Sequence, residues 1–153
     1  MTIRERIAEA TKTAMKAHDS AGLSTLRMVS SAIKNADIEA RTSGKGEIGD
    51  EALLSLFQKL IKQRQESAEL YDKGGRPELA AGERGEIALI QSFMPAQMSE
   101  DEQRAAIAAA IKETGAASVK DMGKVMAALK ARYAGRMDFG KAGGAVKAML
   151  GQG

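Results

Sequence analysis

The stretch DEALLSLFQKLIKQRQESAELYDKGG, residues 50–75, decides the fold. Leu53, Phe57, Leu60, Ile61, Ala68 and Tyr71 recur at the three- and four-residue intervals of a single helical face, with charged and amide side chains between them. Asp50 reads as the N-cap, and the pair Gly74-Gly75 as the stop, because glycine enters the left-handed conformation that closes helices at little cost. A helix of about 24 residues is ~36 Å long at 1.5 Å per residue, long enough to be the spine of a bundle.

The same period extends outward in both directions. Ile3, Ile7, Ala10 and Ala14 mark a first helix over about 2–17, which HDSAG at 18–22 interrupts. Leu26, Val29, Ile33 and Ala36 mark a second over 23–41, ahead of the loop TSGKGEIGD. Beyond the spine, Pro77 sits where a first helical turn tolerates a missing N–H, and Leu79, Ile87, Ile90 and Phe93 continue that helix until Pro95 ends it. Ser99 with Glu102 forms a capping-box pattern for a fifth helix ending at Gly115. Ser118 with Asp121 repeats that pattern for a sixth, closed by Gly135, and a seventh runs from about 138 to 150 through Gly143 and Gly144. The expectation is an all-α chain in two parts: an antiparallel bundle of about four helices over 1–95, then a small three-helix domain over 96–153.

Composition agrees. Of 153 residues, 44% are hydrophobic and 28% charged, with only five aromatics, so the chain is globular and dominated by helix formers. With no cysteine, it has no disulfide, thiolate metal site or cysteine nucleophile. The charged start MTIRERIAEA lacks the apolar centre of a secretory leader, and AAIAAAI at 105–111 is far short of the ~20 residues that span a bilayer. These features lead us to expect a soluble cytoplasmic protein with no membrane partner.

The catalytic inventory is thin. The single histidine, His18, stands beside Asp19 in a turn with no second histidine, and no phosphate loop, nucleophile elbow or H-E-x-x-H motif occurs. No metal, cofactor or catalytic residue is therefore expected. Charge is more informative: from Gly115 onward there are seven basic residues against two acids, a net +5, leaving −2 for the first 114 residues. Such asymmetry points to an acidic partner. Within KDMGKVMAALKARYAGR, residues 120–136, Met122, Val125, Met126, Leu129 and Tyr133 share a core-facing arc. Gly123, Ala127, Ala131 and Ala134 make a ridge of small residues on the other side, rimmed by Lys120, Lys124 and Lys130. A low ridge with a basic rim admits a phosphate backbone or a partner helix to close approach. Lys120, Lys124, Lys130, Arg132, Arg136, Lys141 and Lys147 are the candidate phosphate contacts, and Gly123, Ala127 and Ala131 the close-approach face. Without exposed aromatics for base stacking, folded RNA fits better than single strands.

LRMVSSAIKNADIEAR (26–41), LIKQRQESAELYDKGGRPEL (60–79), GEIALIQSFMPAQMSEDE (85–102) and KDMGKVMAALKARYAGRMD (120–138) resemble, in order, the YqeY-like family. The carboxyl-terminal part is similar to the GatB tail domain of the tRNA-dependent amidotransferase, a helical module associated with tRNA recognition. The resemblance implies a two-part helical fold divided near MPAQMS, partners among tRNA or proteins of that pathway, and a family label of carbon–nitrogen ligase with glutamine as amide donor. That label follows the shared tail, whereas amidation needs a glutaminase and a kinase-like cradle, so the expectation is a non-catalytic accessory protein. The alternative is an adaptor binding a partner helix on Gly123, Ala127 and Ala131. Against the family pattern, Ala127 replaces a glycine and Ala134 a lysine.

Overall fold

The computed structural model describes residues 1–151, and all of its regular elements are helices. The chain divides into two compact units, one spanning Met1–Met94 and one beginning at Pro95. The first contains α1 (Ile3–Lys16), α2 (Ser20–Thr42), α3 (Asp50–Lys73) and α4 (Pro77–Gln91). The second contains α5 (Glu100–Thr114), a single 3₁₀ turn at Val119–Asp121, α6 (Met122–Tyr133) and α7 (Phe139–Gly151).

Helix ends refine the sequence reading through local hydrogen bonding. The extended Gly49 is the N-cap of α3, so Asp50 is its first helical residue and places its carboxylate in the positive first turn. At the other end Gly75, at φ +72°, takes the left-handed conformation while Arg76 N–H donates to Tyr71 O at 2.8 Å. α2 starts three residues earlier than the apolar stripe indicates, because the Asp19 carboxylate accepts from Gly22 N–H at 3.0 Å. The break between α1 and α2 shrinks to a tight turn in which exposed His18 stands at φ +55°. Ser99 and Glu102 form the expected capping box on α5, and Gly115 ends that helix at φ +68°.

In the first unit α3 and α4 form a helical hairpin, α1 packs on α2, and α2 packs on α4. The spine supplies Leu53, Phe57, Leu60 and Ile61 to a core that also receives Ile7, Leu26, Val29, Ile33 and Ile90. A polar clamp closes its edge. Asp37, 7% exposed, continues the α2 stripe of Leu26, Val29 and Ile33. Its carboxylate accepts both Arg4 guanidinium N–H groups at 2.9 Å and the Ile48 N–H at 3.0 Å, while Arg4 also donates to Ile48 O at 3.0 Å. α1, α2 and the loop before α3 are thereby tied together.

The Arg4 hydrogen bonds, followed by that of Ile48 N–H, hold the Asp37 carboxyl down to about 2. Because the folded state favours the carboxylate, the clamp stabilises fully above the ordinary aspartate range, near pH ~4, and loses its contribution as pH falls toward 2. A set of thermal melts by circular dichroism between those pH values should show the midpoint dropping. Asp37→Asn should lower the midpoint at neutral pH and flatten that drop.

In the second unit α5, α6 and α7 pack pairwise around Ile107, Val125, Leu129, Met137 and Val146. Met137 is fully buried, so the segment after Gly135 enters the core rather than capping it from outside. Met98 N–H donates to Arg136 O at 3.0 Å, and the Gln97 amide donates to Gly135 O at 2.6 Å, joining the lead into α5 to the turn after α6.

Candidate nucleic-acid interface

α6 is two-sided for a local reason. Val125 and Leu129 are fully buried, and Met122, Met126 and Tyr133 pack partly against the same core. On the opposite side Gly123, Ala127 and Ala131 are exposed, while Ala134 is half-buried. At 3.6 residues per turn, Gly123, Lys124, Ala127, Lys130 and Ala131 fall within about 120° of arc, with the two lysines at its flanks. Lys120 leads into this face from the preceding 3₁₀ turn and is exposed.

The start of α6 is fixed by Asp121, whose carboxylate accepts from Ala117 N–H at 2.9 Å and Ser118 N–H at 3.4 Å. Those bonds, Ala117 first, lower the Asp121 carboxyl below its usual range, and the charge of Lys124 helps. Gly123 then occupies the first turn with a right-handed backbone, and a Cβ built on it meets nothing within 4 Å. Neither turn geometry nor internal packing requires glycine there. Gly123→Ala is therefore expected to stabilise the protein slightly, by up to about 0.5–1 kcal/mol, through the lower backbone entropy of alanine. A denaturant melt checks this.

The seven candidate cations do not form one patch. Lys120, Lys124 and Lys130 surround the small-residue ridge. Arg132 lies on the α5 side, in an ion pair with Glu113, which raises the guanidinium pKa and lowers that of the carboxyl. Arg136 is half-buried: its Nε donates to Ala96 O at 3.0 Å, and its guanidinium carbon stands 6.0 Å from the Tyr133 ring centroid. Lys141 and Lys147 are exposed but flank opposite sides of the buried Ala142–Val146–Leu150 stripe of α7. Lys124 and Lys130 on α6, with Lys120 in the turn before it, are thus the cations nearest the small-residue ridge in the chain. Arg132 and Arg136 each serve an internal contact, which no local spacing announces because their partners lie 19 and 40 residues away.

Among the described residues no group of three or more His, Asp or Glu side chains is placed to hold a metal. No described helix is long and apolar enough to cross a membrane. The polar clamp of Arg4, Asp37 and Ile48 escaped the sequence reading, although an aspartate continuing an apolar stripe was its visible trace.

Residues 4–150, which take in nearly all of both helical units, match the family model described as Yqey-like protein. The chain belongs to the YqeY-like family. Similar proteins include the altered inheritance of mitochondria protein 41, mitochondrial, of Vanderwaltozyma polyspora, 37% identical over 83 residues. The corresponding proteins of Eremothecium gossypii and Lachancea thermotolerans are 36% identical over 85 residues and 39% over 83. These matches cover 54–56% of this chain and 43–45% of the relatives, so less than half of each relative's length is represented. Their names correct the expectation of a cytoplasmic protein, since they are mitochondrial proteins. That expectation rested on the missing cysteines, the charged first residues and the short apolar runs, none of which specifies a compartment.

Proposed function

We propose that this YqeY-like chain is a non-catalytic accessory protein whose second unit holds structured RNA, with tRNA the first choice, by its phosphate backbone. The observation that carries this reading is the α6 face: Lys124 and Lys130 flank a ridge whose central positions, Gly123, Ala127 and Ala131, are all exposed, and exposed Lys120 stands in the turn just before it. Lysine offers charge without a fixed base geometry, and a ridge without bulk lets a ribose-phosphate strand approach the helix. Lys141 and Lys147 add longer-range attraction, while Arg132 and Arg136 hold the unit together as much as they attract phosphate. Filter binding of tRNA at two salt concentrations tests the reading. Each phosphate contact contributes roughly 0.7–0.9 to the slope of log affinity against log salt, and a flat response, or no binding at low salt, would sink it.

A second reading rests on Gly123, where the fold leaves room for a side chain and none is present. A partner helix could use that space, making the protein an adaptor, in the amidotransferase pathway or elsewhere. A pull-down that survives nuclease and is lost on Ala127→Leu distinguishes it from RNA binding.

A further inference from the structure

In the first unit, far in sequence from the α6 face, α1 and α2 leave an open cleft of about 350 Å³. Its floor is Ile7 and Ile33, both buried in the core, and its lip is Ile38, which remains 47% exposed. Arg4, Lys34 and Arg41 line it as well. Arg4 is committed to Asp37 through the two-pronged bond, and Glu47 and Asp50 add to its acidic surroundings. Lys34 is exposed and forms no ion pair among the described residues, and Arg41 is exposed and contributes only a longer-range attraction to Asp37. Among the residues that line the cleft, Arg4, Lys34 and Arg41 against Asp37 leave two positive charges beside an apolar floor, while Glu47 and Asp50 act on the Arg4 end alone.

The spacing of these groups is specific. Lys34 and Arg41 stand two helical turns apart on one face of α2, about 10.5 Å along the axis, and Ile38 lies between them. We propose that the α1–α2 cleft, through Lys34, Ile38 and Arg41, receives an acidic amphipathic helix of a protein partner, with two carboxylates two turns apart and an apolar residue between them. Charge complementarity selects the acidic residues, and the exposed isoleucine over an isoleucine floor selects an apolar side chain, which a phosphate backbone lacks. Laid between α1 and α2, such a helix covers the lip and brings its carboxylates to both free cations.

The test is amide chemical-shift mapping on the full chain with a synthetic alanine-based helix carrying two glutamates two turns apart and leucine between them. The control is the same peptide with lysine in place of glutamate. Shifts at Lys34, Ile38 and Arg41 that saturate with the glutamate peptide, and weaken about tenfold or more in Lys34→Glu plus Arg41→Glu, support the proposal. Ile38→Ser should weaken binding while leaving the far-UV spectrum unchanged, since all three side chains are on the surface. The proposal is overturned if the lysine peptide binds equally well or the glutamate peptide leaves these amides unmoved. It also falls if the same amides respond to tRNA instead, or to protein concentration alone, which would make the occupant a second copy. The α6 face takes no part in this experiment, so its outcome is independent of the RNA reading.

Discussion

Lys124→Glu combined with Lys130→Glu is expected to reduce tRNA affinity by at least about tenfold at low salt and to lower the salt-dependence slope by about 1.4–1.8. Both side chains are exposed at the flanks of the Gly123–Ala127–Ala131 ridge, so one reversal on each side changes attraction to repulsion along the whole face. Neither substitution touches the core residues Val125 and Leu129, and the melting temperature should stay nearly constant. The contrast with Arg136→Glu is instructive. That change removes the hydrogen bond to Ala96 O and the contact over Tyr133, so any loss of binding would mix unfolding with electrostatics. Equal affinity of the doubly reversed protein and the wild type, at matched salt, would exclude α6 as the RNA face.

Phe57→Ala should be the most damaging single change in the first unit. Phe57 is fully buried two turns into α3, in the core cluster that also holds Leu26, Val29 and Ile33 of α2 and Ile87 and Ile90 of α4. Truncating a buried phenylalanine to alanine costs about 3–5 kcal/mol, from lost transfer energy and the cavity left behind. For a unit of this size that corresponds to a fall in melting temperature of roughly 12 °C or more. Surface substitutions on the same helix, such as Lys62→Ala, should change stability by no more than about 0.5 kcal/mol, because Lys62 is exposed. A denaturation series by circular dichroism compares the two directly. A Phe57→Ala protein as stable as the wild type would mean that the spine does not anchor the core.

Helix positions were legible because each depends on residues within a few places of one another. The period that puts Leu53, Phe57 and Leu60 on one face is visible in the chain itself, and so are the Ser99–Glu102 box and the proline opening α4. Boundaries shifted where one side chain captured a nearby backbone group, as Asp19 does for Gly22. The α6 ridge was legible for the same reason, since its two faces follow from the helical repeat. Its cations were less so. A lysine or arginine looks equally available in sequence whether it faces water or a carboxylate on another helix.

By itself, then, the sequence determined the helices of the described residues, their buried stripes and the basic character of the carboxyl-terminal third. Tertiary structure decided which charges remain for a partner. It paired Arg132 with Glu113, hooked Arg136 onto Ala96, and clamped Arg4 to Asp37 and Ile48, leaving Lys120, Lys124 and Lys130 on one face and Lys34 and Arg41 on another. The physical reason is range: helical periodicity and capping act between neighbours in the chain, whereas the hydrogen bonds that engage a charge join residues that only folding brings within 3 Å or so.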